Sequence, residues 1–72
     1  MITEIHHEAQ TALSTSPIYD LRKLHVEQVD EMLLISGKVG SFYHKQLAQE
    51  AVRLVSGDYQ VVNQINVEPS GD

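Results

Sequence analysis

Apolar residues recur at Ile2, Ile5, Ala9, Ala12 and Leu13, spacings of three and four that set them on one side of an α-helix. Glu4 and Glu8 fall in its early turns, where the helix dipole favours acids. Ser14-Thr15-Ser16-Pro17 ends it, because the residue before a proline is pushed out of the helical region. From Pro17 to Lys23 the pattern is ambiguous: Ile18 and Leu21 share a helical turn or anchor a loop against the core. Two short runs follow, Leu24 to Val29 and Met32 to Val39, separated by Asp30-Glu31. Pairing Val29 with Met32 sets Gln28 opposite Leu33, Val26 opposite Ile35 and Leu24 opposite Gly37. One hairpin face then gathers Leu24, Val26, Leu33, Ile35 and Val39. The other gathers His25, Glu27, Ser36 and Lys38, together with Val29, Met32 and Leu34. A slip of one residue would put His25 and Glu27 among the core partners, so the pattern selects this register. Asp30-Glu31 is a poor pair for a type I′ turn, and a longer loop is the alternative.

After Gly40 the period changes back to that of a helix. Leu47, Ala48, Ala51, Val52, Leu54 and Val55 form a wide stripe, with Gln46, Gln49, Glu50 and Arg53 outside it. Ser41 is a natural N-cap, although His44 stands where a capping box has Glu or Gln. Gly57 is a natural C′ residue, the left-handed position that closes a helix. From Tyr59 to Val67 the chain alternates: Val61, Ile65 and Val67 on one face, Gln60, Gln64 and Asn66 on the other, with Asn63 interrupting the first. That is a half-buried strand. The order α, β, β, α, β implies an α+β fold. The crossover through the 41–55 helix makes the last two strands parallel, with two helices on one face of a mixed three-stranded sheet. Residues 1–68 form one domain and 69–72 a flexible tail.

Composition narrows the function. The chain has 72 residues, no Cys, and ten Asp/Glu against five Lys/Arg, for a net charge of −5. It is too short for a second domain. Without Cys it has neither disulfides nor thiolate zinc sites. No stripe of Lys and Arg exists to displace counterions from a phosphate backbone, which argues against nucleic acid. No apolar run approaches the roughly 20 residues of a membrane span. As written, the chain begins without the basic and apolar regions of a secretory signal, which taken alone reads as cytoplasmic.

The chemistry-bearing residues are sparse. His6 and His7 point about 100° apart on a helix and cannot clamp one ion together. Neither His25 nor His44 has a Ser, Cys or acid at a catalytic spacing. No catalytic, cofactor-binding or metal-ligating residue is expected. Asp30-Glu31 reads as a charged turn that keeps a sheet edge soluble, or else as part of a cation site built with backbone carbonyls. Lys38, Ser41, His44 and Lys45 form the one local basic cluster, at a helix N-terminus suited to an anion or a lipid headgroup. Gly37 and Gly57 are structural. Val29, Met32 and Leu34 share the open sheet face, and Val62 joins them from the last strand. Either the 17–23 segment or the tail folds over that face, or a partner covers it, through a homodimer or docking on another component.

The stretch from Leu24 to Val67 resembles the BON domain, named for bacterial osmotic-stress and nodulation proteins. Carrying the likeness are Leu24-x-Val26, Met32-Leu33-Leu34-Ile35-Ser36-Gly37-Lys38-Val39, Ala48 and Ala51, Gly57, and Val61-x-Asn63-x-Ile65-x-Val67. Upstream, Ala12-Leu13 and Ser16-Pro17 match the family's first helix and its exit. Asp30-Glu31 and Asp58-Tyr59 differ from the family, which commonly has Gly in the first turn and Gly-Val before the last strand. Both differences add acid at an edge. The resemblance implies the αββαβ fold and a non-catalytic binding module linked to osmotic stress and transport. It also implies a phospholipid, cell-envelope or protein partner, a periplasmic setting and, in one branch, potassium binding.

Overall fold

In the computed structural model, which describes residues 4–69, the strand pairing follows the hydrophobic alternation. β1 (His25–Val29) runs antiparallel to β2 (Met32–Val39), with Val29 opposite Met32, Gln28 opposite Leu33 and Val26 opposite Ile35. The link is the two-residue turn itself. Asp30 alone takes a positive φ there, 54°, which Asp tolerates better than most residues. β3 (Gln60–Val67) lies parallel to β2 on its other side, with Leu33 opposite Val61 and Gly37 opposite Ile65. The sheet order is therefore β1-β2-β3, mixed and three-stranded.

Helix α1 (Ile5–Ser14) and helix α3 (Phe42–Arg53) cover one sheet face. The core between the layers is Ala9 and Leu13 from α1, Ala48 and Val52 from α3, and Val26, Leu33, Ile35, Val39 and Ile65 from the strands. The ambiguous stretch after Pro17 contains a one-turn helix, α2 (Tyr19–Arg22), which buries Leu21 in this same core. It therefore does not fold over the open face. Ile2 and residues 70–72, assigned above to the first helix and the tail, lie outside the described residues.

Two ends of α3 differ in how they match the expectation. Ser41 caps it, its Oγ accepting the His44 amide at 3.1 Å. At the other end regular helix stops at Arg53, and Leu54, expected in the apolar stripe, is 87% exposed. Leu54 keeps the helical rotation, its amide donating to the Glu50 carbonyl at 3.1 Å, but it falls at the margin of the stripe, while Val55 beyond it still packs on the core. Gly57 has φ 59°, but three residues past the cap. It sits in a separate turn closed by Tyr59 N donating to the Ser56 carbonyl at 3.0 Å, rather than at C′.

Candidate functional site

The N-terminus of α3 and the one-turn α2 meet at the end of the sheet where β2 finishes. Asp20 makes the junction. Its Oδ2 accepts the Gly40 amide at 2.7 Å and His44 Nδ1 at 2.9 Å, and Lys23 Nζ lies 3.8 Å from Oδ1. With the ionised carboxylate as acceptor, Nδ1 must carry the hydrogen. The Gly40 amide, then the His44 ring, hold the Asp20 carboxyl below the usual carboxylate range, against the opposing effect of burial. An internal anion thus sits where the cluster of Lys38, Ser41, His44 and Lys45 was expected to meet an external one.

Those four residues are not brought to one point. Ser41 and His44 serve the cap and the Asp20 contact. Lys38 projects from the opposite sheet face, because strand residues alternate and Val39 is the one turned to the core. Its Nζ lies 3.5 Å from Glu68 Oε2. Lys45 instead leans on Phe42, its Nζ 5.9 Å from the ring centre. Further aromatic and basic side chains stand on α2 and the first turn of α3. Arg22 and Lys23 approach the Tyr19 ring at 5.5 and 4.9 Å, and Tyr43 stands 6.1 Å from His44. The signal available in the sequence was slight: aromatics on both sides of a Gly-Ser junction, with basic neighbours.

The opposite end of the sheet is acidic. Asp30 and Glu31 form the hairpin turn, and Glu31, Asp58 and Tyr59 line a hollow of about 290 Å³. The two acid-bearing departures from the BON pattern are therefore spatial neighbours. Tyr59 Oη accepts from Gln28 Nε2 at 3.2 Å across this end. A second shallow hollow joins Glu4, His6, Glu27 and Gln28. Among the described residues no group of three or more His, Asp or Glu converges as a metal site would require.

On the open face, register sets Leu34 beside Val62 and Met32 beside Val29. Val29 is 43% exposed, and Met32, Leu34 and Val62 are half-buried by their neighbours. Polar side chains surround them: Glu27, His25, Ser36 and Lys38, with Gln60, Gln64 and Asn66 along β3.

No helix among the described residues is long and apolar enough to cross a membrane. A family model described as BON domain matches residues 3–69. No curated protein and no solved structure matches the chain.

Proposed function

The chain belongs to the BON domain family of small binding modules, and on that footing we propose that it docks on the headgroup layer of an anionic phospholipid surface. The contact is the pole formed by α2 and the first turn of α3. One observation carries this reading. Tyr19, Phe42 and Tyr43 are 64%, 67% and 68% exposed at that pole, with Arg22, Lys23 and Lys45 against the first two rings. Aromatic rings favour the water–lipid boundary, and neighbouring cations meet the phosphates there.

Charge segregation makes this compatible with a net charge of −5. The eight-residue β2 spans about 25 Å between this pole and the Asp30-Glu31 turn. That is about three times the screening length of roughly 8 Å at physiological salt. An end-on approach keeps the Asp30-Glu31 turn out of reach of the surface, while the acids at this end, Asp20 and Glu68, stand beside Lys23 and Lys38. Of the four residues first expected at an anion, Lys45 remains in the contact, while Ser41 and His44 build the frame behind it.

Co-sedimentation with vesicles of phosphatidylglycerol and phosphatidylcholine tests the reading. The protein should bind these vesicles at low salt, and not vesicles of phosphatidylcholine alone. Lys23→Glu with Lys45→Glu should weaken binding at least about tenfold. Lys38→Glu, on the open face, should leave it unchanged. Absence of binding, or an equal loss with Lys38→Glu, would overturn the proposal. A melting temperature raised by potassium and not by sodium would assign the module to small-cation binding instead.

A further inference from the structure

The two edges of the sheet are built differently. On β1, the outward-pointing Leu24 carbonyl and Val26 amide are both taken by the Gln10 side chain of α1. On β3, Gln60 N donates to the Glu31 carbonyl and Glu68 N to the Val39 carbonyl, so even-numbered residues face β2. The backbone of Val61, Asn63, Ile65 and Val67 therefore faces outward. Of their amides only that of Ile65 has a partner among the described residues, the Asn63 side chain at 3.1 Å. This edge is eight residues long, Gln60-Val-Val-Asn-Gln-Ile-Asn-Val67, with no charge and no proline. Edge strands are ordinarily short, charged, bulged or covered.

We propose that β3 pairs antiparallel with β3 of a second copy of this chain, joining two three-stranded sheets into one of six strands. A two-fold axis at Gln64 uses every outward residue: Val61 of one copy faces Val67 of the other, and Asn63 faces Ile65. Ile65 N then exchanges the Asn63 side chain for the Asn63 carbonyl of the other copy. The Asn63 amide group keeps its own acceptors on α3, the Lys45 carbonyl and Gln49 Oε1, each at 3.1 Å.

Charge complementarity selects a second copy as the occupant. On a chain of net charge −5, the paired strands are uncharged from Gln60 to Val67, and the acid just past each strand, Glu68, meets Gln60 of the other copy rather than another acid. The open-face positions Gln64 and Gln64 of the other copy form an amide pair at the axis. A groove of about 400 Å³ runs between the end of α3 and the start of β3, lined by Gln49, Arg53, Tyr59 and Val61 among others. It leaves room where Val67 of the other copy arrives. A seam of this length is small beside stable interfaces, so the association is concentration-dependent.

The test is the mass of the full chain in solution, by sedimentation equilibrium from micromolar to millimolar concentration. Mass should rise toward the dimer, with the Val61 and Val67 amides becoming protected from hydrogen exchange as it does. Gln64→Lys sets like charges opposite each other at the axis and should weaken association at least about fivefold without lowering the monomer's melting temperature. Mixing Gln64→Lys with Gln64→Asp should restore it. Leu34→Lys, on β2 and so one strand in from the seam strand on the same face, should leave it intact. A monomeric mass throughout would overturn the proposal. So would a dimer dissolved by Leu34→Lys and untouched by Gln64→Lys, which would place the interface on the open face.

Discussion

Gln10 stands beside Val26 as a neighbouring strand would. Its Oε1 accepts the Val26 amide at 2.9 Å while its Nε2 donates to the Leu24 carbonyl, also at 2.9 Å. One side chain on α1 thus satisfies two part-buried backbone groups of β1 and ties helix to sheet. The same residue closes an edge to which another chain could add.

Removing that amide should be costly out of proportion to its size. Gln10→Ala leaves the Val26 donor and the Leu24 acceptor without partners, a loss of about 1–3 kcal/mol. In a domain of this length each kcal/mol lowers the melting temperature by roughly 4–8 °C. Urea denaturation of Gln10→Ala and Gln10→Met separates the hydrogen bonds from packing. The Met variant keeps the bulk and should lose nearly as much. A Met variant as stable as the parent would show that the two bonds contribute little.

Asp20 makes stability depend on acid. Its folded-state pKa is lowered, chiefly by the Gly40 amide and next by His44. The folded chain therefore releases this proton more readily than the unfolded one. The stabilisation is complete above the unfolded carboxylate value and disappears as pH falls through the lower, folded one. Asp20→Asn should melt lower than the parent at neutral pH. The gap should close on acidification through the carboxylate range, as followed by thermal melts across a pH series. A gap that stays constant to the acid limit would remove Asp20 as its source.

Two glycines with positive φ should respond differently to alanine. Gly37 has φ 133°, and an added Cβ would stand 2.7 Å from Cδ2 of Leu24, which is 1% exposed. Backbone strain and overpacking together should cost roughly 2–4 kcal/mol. Gly57 has φ 59° and nothing within 4 Å of that position. Only the backbone term applies there, about 1–2 kcal/mol, and Gly57→Asn should recover part of it. Equal losses at the two sites, measured by chemical denaturation, would contradict the packing half of this account.

The hairpin register, the Ser41 cap and the parallel crossover were all determined by the sequence alone. Each follows from local geometry: alternation along a strand has one register that buries Val26, Leu33 and Ile35, and a serine at the first turn reaches its own helix. Periodicity could not settle Leu54, because it sets that residue at the margin of the apolar stripe without showing whether another element packs over the margin. Nor could proximity in sequence decide which basic residues share a surface. Lys38 and Lys45 are near in the chain, yet strand alternation sends Lys38 to the opposite side of the sheet. The roles of Asp20 and Gln10 in joining elements left no local pattern, since the backbone groups and the ring they bind across elements lie 14 to 24 residues away. A side chain bonding to distant backbone depends on how two elements pack, and only the tertiary structure decides that. The same packing made an aromatic and basic pole of Tyr19 and Phe42, and left β3 as the edge without a cover.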